Sequence, residues 1–109
     1  MIPDHFRNFV DQLHDATREG TVIWEEGANS NYFFCSRKIY NVHLTLDDIN
    51  GVNIIELIFY VNGEIQQSFT VNDSELREEE DYLTMEQLHT LVHQKVNDIS
   101  YELEDFFKD

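Results

Sequence analysis

Two histidines and a glutamate near the C-terminal end have the spacing that comes closest to a catalytic metal site. His89 and His93 lie four residues apart in a helical pattern and Glu86 precedes His89 by three, so the three side chains project from one side of a helix. A zinc-protease motif needs a glutamate directly after the first histidine, and Thr90 stands there instead. We therefore predict that both histidines face solvent. A metal-dependent enzyme using Glu86, His89 and His93 is kept as an alternative.

The remaining residues give no other catalytic pattern. Cys35 is the single cysteine, so no disulfide can form within the chain and no cysteine-rich zinc site exists. It lies between Phe34 and Ser36 in a strand pattern, which predicts a buried and unreactive thiol. The four glycines are spread among turns and form no phosphate-binding loop. We predict a protein that is not an enzyme, with no catalytic, cofactor-binding or metal-binding residues and no cofactor.

Charge is the most unusual property of the chain. It has 22 acidic and 7 basic residues, for a formal net charge of -15, which argues against direct binding of nucleic acid. The carboxylates either serve solubility alone or bind a basic protein surface. The only adjacent basic pair, Arg37-Lys38, either pairs with nearby acids or marks a binding edge. The predicted partner-binding residues are Glu75, Glu78, Glu79, Glu80, Asp81, Glu102 and Asp105.

The chain is short enough to be one domain over residues 1–109, with a single core. No apolar run approaches the roughly 18 residues of a membrane span, and the N-terminal residues lack the basic and apolar parts of a signal peptide. A single cysteine fits a reducing compartment. We therefore expect a cytoplasmic protein that does not contact a membrane.

The strongest structural pattern is a hairpin over Val52 to Val71, in which two alternating runs meet at Asn62-Gly63. A two-residue turn would place Phe59 opposite Gln66 and so set an apolar row beside a polar one. A three-residue turn with a bulge places Phe59 opposite Ile65 instead. We therefore predict the bulged turn.

The other elements follow from helical or alternating spacing of apolar residues. Thr84 and Gln87 have the spacing of a capping box, so we predict that the last helix begins at Thr84. Its apolar stripe, which runs from Met85 to Phe106, either packs on the sheet or faces a partner helix. The other predicted segments are a helix over 4–19, strands over 21–26, 31–36 and 42–46, and a solvated connection over 72–81.

Together these elements predict an α+β fold. An N-terminal helix, an antiparallel meander of about five strands and a long C-terminal helix follow one another, with both helices packed on one face of the sheet. The predicted core consists of Phe6, Leu13, Trp24, Leu44, Leu57, Phe59, Phe69, Leu88, Val92 and Ile99.

This order of features resembles a group of small uncharacterised bacterial proteins. The resemblance rests on a helix that ends at Gly20, on Trp24 and Tyr32 in successive strands, on the Leu44 to Leu46 segment and on the Asn62-Gly63 turn. It implies a bacterial α+β domain of unknown function, with relatives expected near mobile elements or toxin and defence genes. The group supplies no catalytic residues.

We predict a small acidic, non-enzymatic binding module of a bacterial cell, of the immunity or inhibitor type, that binds a protein with a basic surface and makes no direct contact with nucleic acid. A self-associating structural subunit, such as a homodimer, is the alternative.

Overall fold

A computed structural model describes residues 1–98 and 106–108 of the chain. The first helix, α1, spans Asp4–Glu19 and the second, α2, spans Glu79–Val96, with a short 3-10 helix at Leu76–Glu78 before it. Neither of the described helices is long and apolar enough to cross a membrane. The strands are β1 (Glu25–Glu26), β2 (Tyr32–Arg37), β3 (Tyr40–Ile49), β4 (Val52–Val61) and β5 (Glu64–Asn72).

The five strands form one antiparallel sheet in which each strand pairs with the next along the chain. The side chains of alternate residues line an inner face, which both helices cover to form one core. The predicted α+β fold is therefore confirmed, including the placement of both helices on the same face. α1 ends as predicted at Gly20, whose left-handed backbone lets its N–H bond to the carbonyls of Ala16 and Thr17.

The central hairpin keeps Phe59 and Phe69 on the same face, but not through the predicted turn. Asn62 and Gly63 have φ values of 54° and 82°, as a two-residue type I′ turn requires. The extra residue lies instead in β5, where Gln66 is bulged out between the pairs Tyr60–Ile65 and Phe59–Gln67. The prediction of a three-residue turn was wrong. A bulge within β5 brings the apolar side chains of both strands to the same face just as well as a bulge at the turn would.

The core matches the predicted one closely. Phe59 is half-buried and packs against the core, and Ile99 lies outside the described residues. Ile65, which the wrong turn would have turned inward, is 61% exposed. Among the described residues, the buried apolar side chains are Ile2, Phe6, Val10, Leu13, Trp24, Phe33, Cys35, Val42, Leu44, Ile55, Leu57, Phe69, Val71, Met85, Leu88 and Val92.

The first predicted strand is mostly absent, since only Glu25 and Glu26 pair with β2. The segment before them is held by a side chain of α1: the Trp24 indole Nε1–H donates to the Thr17 hydroxyl at 2.9 Å, and that hydroxyl donates to the Leu13 carbonyl at 2.7 Å. Burying the indole against the helix takes precedence over strand pairing here. β3 is longer than the predicted 42–46, because the whole segment up to Ile49 pairs with β4.

α2 begins earlier and ends earlier than predicted. Thr84 lies inside the helix, where its hydroxyl donates to the Glu80 carbonyl at 3.0 Å. Glu79, Glu80 and Asp81, which were expected in a loop, form the first turn of α2, where they interact favourably with the helix dipole. The helix ends at Val96, and Asn97 closes it through a side-chain bond to the His93 carbonyl. Phe106, expected on the helical stripe, lies outside α2 and is 80% exposed.

Replacing Thr17 with valine should lower the free energy of unfolding by about 1–3 kcal/mol. Valine keeps the shape of threonine but leaves the buried indole N–H of Trp24 without an acceptor. In a Trp24→Phe background the same change should cost clearly less, because no N–H remains to be satisfied. Urea unfolding followed by circular dichroism measures both; equal costs in the two backgrounds would contradict the assigned role of this bond.

Deleting Gln66 should leave the fold intact, because the residues on either side of the bulge already have the facing of an uninterrupted strand. Deleting Ile58 is the matched control: it pairs with His43 and Ser68, so its loss moves one part of β4 to the wrong face. We expect cooperative urea unfolding for the first variant and its loss for the second. A Gln66 deletion that behaves like the Ile58 deletion would contradict this account.

Candidate functional site

The histidines of α2 do not both face solvent as predicted. His89 is only 5% exposed, and its Nε2 atom lies 3.0 Å from the carbonyl oxygen of Asn31. Its ring packs against Phe33 at 5.3 Å between centroids. Burial lowers the pKa of His89, so the neutral ring that donates to Asn31 is the favoured form.

Glu86 and His93 are exposed. The His93 ring lies perpendicular to the Phe33 ring, with 5.9 Å between the centroids. Within residues 1–98 and 106–108 the structure contains no group of three or more histidine, cysteine or acidic residues that could hold a metal ion. The rings of both histidines contact Phe33, and so they help to pack α2 against β2. A four-residue spacing places both rings on the same side of the helix, as this contact requires.

Stability should fall as the pH drops below about 6.5, in part because of His89. The pKa of His89 in the folded protein is below the ordinary value of 6.5, so the unfolded chain binds a proton at a higher pH than the folded chain does. The stability that is present above pH 6.5 is therefore lost as the pH falls. His89→Gln keeps a donor for Asn31 and does not titrate, so its unfolding free energy should fall less between pH 7 and pH 5. Equal slopes for His89→Gln and the wild type would contradict the prediction.

Cys35 is buried, as predicted, on the inner face of β2. Burial raises the pKa of its thiol to about 12. The protonated thiol is therefore the favoured form at neutral pH, and this form is a weak nucleophile.

Part of the acidic segment predicted to bind a partner is occupied within the molecule. Glu78 is only 8% exposed; its carboxylate accepts hydrogen bonds from the amino group of Met1 and from the amide of Asn72. This carboxylate is therefore a structural contact between the 3-10 helix, β5 and the N-terminal residues.

Asp81, in the first turn of α2, has the same kind of role. It accepts from the backbone N–H of Ile2 at 2.9 Å and from the guanidinium of Arg7 at 2.8 Å. The hydrogen bond from Arg7 lowers the pKa of Asp81. This carboxylate holds α1 against α2.

Of the other predicted partner-binding residues, Glu79 and Glu80 are exposed in the first turn of α2, and Glu75 pairs with Arg77 at 3.1 Å. Glu102 and Asp105 lie outside the described residues. The acidic surface that the described segment offers is therefore smaller than the sequence suggests.

The outer face of the sheet is a candidate surface that the sequence analysis missed. It has an aromatic row across three strands, in which the ring of His43 lies 5.8 Å from Phe34 and 4.6 Å from Tyr60. A shallow cavity of about 370 Å³ opens beside these rings. Ile58 lies next to His43 across the strand pair. In the part of the chain that the structure describes, no helix packs on this face.

The charged groups on this face are acidic. Glu56 lies between Thr45 and Thr70, and Asp47 accepts a hydrogen bond from the hydroxyl of Tyr32 at 2.7 Å. That bond raises the pKa of Tyr32, and burial lowers the pKa of His43, which favours its neutral form. The five strands contain no lysine and a single arginine, which lies on the inner face. The alternation of polar and apolar residues along β2, β3 and β4 was the available signal, but it does not show which side the helices leave open.

Comparison of the chain with protein-family models, curated proteins and solved structures gives no match. The resemblance to a group of bacterial proteins therefore stays a prediction. The geometry of the chain itself is the basis for a functional interpretation.

Proposed function

We propose that the chain is a non-enzymatic binding module whose outer sheet face binds a protein with a basic surface. The observation that supports this most directly is the aromatic row of Phe34, His43 and Tyr60 on a face without a covering helix among the described residues. Aromatic side chains with polar neighbours are typical of the centre of a protein interface.

Two physical contributions would act together at this surface. Burial of the aromatic and aliphatic centre stabilises a complex by about 25 cal/mol per Å² of apolar area removed from water. The carboxylates of Asp47 and Glu56, with the net charge of -15 behind them, speed the encounter with a basic partner and disfavour acidic competitors.

Self-association is the alternative, and the charges disfavour it. Two copies meeting through their outer faces would bring Asp47 and Glu56 of both chains to one interface, which carries no lysine or arginine on the described strands to compensate. Like charges at a contact are destabilising. A basic partner removes that cost.

An inhibitor or immunity protein is the type of module that this proposal favours. Proteins that bind nucleic acid present clustered lysine and arginine side chains. An acidic face with an apolar centre would compete for such a cluster and block it. Within the proposal, the phosphate-binding groove of an enzyme is the preferred target.

The apolar part of the proposal is tested with a double variant, Ile58→Thr with Tyr60→Thr, which keeps the strand propensity of both positions. The control, Leu76→Thr with Leu83→Gln, removes two exposed apolar side chains elsewhere. Each immobilised protein is incubated with a lysate of the source organism at low salt. We expect a basic protein to be captured by the wild type and by the control, and to be lost with the outer-face variant.

The electrostatic part is tested with charge reversals of equal size. Glu56→Lys should slow association with the captured protein, measured by surface plasmon resonance, several-fold more than Glu19→Lys on the surface of α1. The association rate should also fall as salt is added. If Glu79→Lys with Glu80→Lys abolishes binding and Glu56→Lys does not, the acidic segment rather than the outer face is the site. Captured proteins of average charge, or salt-independent binding, would overturn the proposal.

A further inference from the structure

A second cavity lies on the opposite side of the molecule, between the last turns of α1 and the inner face of the sheet. Its volume is about 580 Å³, within the range of roughly 300–1,000 Å³ that is typical of small-molecule sites. Phe9 and Leu13 form one wall, and Cys35, Val42 and Phe59 form the floor. We call it the α1 groove.

The α1 groove exists because the chain after α1 does not complete the sheet. Thr21, Val22 and Ile23 were expected in the first strand but instead run along the rim of the groove. Ile23 is 73% exposed there. Apolar surface is therefore present both in the groove and at its entrance.

The aromatic rings give the groove a flat surface. Tyr40 stacks on Phe59 with 5.7 Å between centroids and 21° between planes, while Phe9 meets Phe59 edge-on at 5.6 Å. Tyr40 is 41% exposed and Phe59 is half-buried, so aromatic surface remains in the groove for the body of an apolar ligand.

Arg37 is the charged residue that lines the groove. It pairs with Tyr40 at the end of the β2–β3 hairpin, so its side chain lies on the inner side of the sheet with the tyrosine ring. Within the described part of the chain Arg37 makes no ion pair or side-chain hydrogen bond, although each of the other arginines, Arg7, Arg18 and Arg77, pairs with a carboxylate.

An arginine that pairs with none of the described carboxylates is unexpected in a chain that has 22 acidic residues for 7 basic ones. The described residues that line the groove include no aspartate or glutamate, so the guanidinium of Arg37 is available to an external anion. A planar guanidinium binds a carboxylate through two parallel hydrogen bonds. The net charge of -15 repels ligands that carry several negative charges, and a single charge is repelled least.

We propose that the α1 groove binds a small carboxylic acid with an apolar body, whose carboxylate pairs with Arg37 and whose body packs against Phe9, Tyr40 and Phe59. The site is on the inner side of the sheet, and the proposed protein-binding surface is on the outer side. The two proposals are therefore independent and fail independently.

Octanoate and naphthalene-2-carboxylate are the probes, and 1-octanol and octylammonium are matched compounds with the same chain and a different charge. Titration into the ¹⁵N-labelled protein should move the amide resonances of groove residues such as Leu13, Cys35 and Tyr40, and leave those of Thr45 and Glu56 on the outer face unchanged. At least one carboxylate should bind about 10-fold tighter than both octanol and octylammonium. The comparison of the two carboxylates distinguishes a flexible aliphatic body from a flat aromatic one.

Arg37→Gln should weaken binding of the better carboxylate by about 10-fold to 100-fold, the range expected for charge-assisted hydrogen bonds. Arg18→Gln makes the same change in net charge on the exposed side of α1 and should leave the affinity unchanged. Ala16→Leu places a larger helix-forming residue in the wall of the groove and should weaken both carboxylates. Thermal unfolding of each variant verifies that the fold is kept.

Three results would overturn the proposal. One is the absence of any probe binding at millimolar concentration. Another is octanol binding as tightly as the carboxylates. The third is an equal effect of Arg37→Gln and Arg18→Gln, which would show that the anion responds only to net charge.

Discussion

The whole fold depends on one constraint, which is that every strand must present its apolar residues to the same side of the sheet. Strand side chains alternate with a period of two, so a slip of one residue would turn an entire run outward. The pairs Leu44–Leu57 and Leu57–Phe69 show that the constraint holds across three neighbouring strands. Both helices can share one core because this face is continuous.

The carboxylates divide into groups with different physical roles. Glu78 and Asp81 are tied to Met1, Ile2 and Arg7, and so they join the N-terminal residues and α1 to the start of α2. Glu79 and Glu80 remain exposed. The net charge therefore overstates the acidic surface that a partner can reach. Asp47 and Glu56 on the outer face make up a larger share of that surface than the net charge alone implies.

The sequence predicts the architecture because the periodic patterns in α1, the strands and α2 are long, and burial enforces them. It does not predict where α2 begins, since the capping-box pattern at Thr84 was outweighed by a favourable acidic first turn at Glu79. The burial of His89 was missed because spacing along a helix does not reveal that the Asn31 carbonyl lies opposite. The open outer face and the α1 groove arise from packing between distant segments, which local patterns do not encode.

The bulge at Gln66 has a consequence for how copies of the protein avoid one another. β5 is an edge strand of nine residues, and the edge of a sheet offers a row of unpaired backbone groups on which another strand can grow. A bulge interrupts the even spacing of that row and increases the local twist, so a flat strand from a neighbouring molecule cannot continue the ladder past it. The residue that restores the facing of the core thus also shortens the regular edge on which a neighbouring strand could pair.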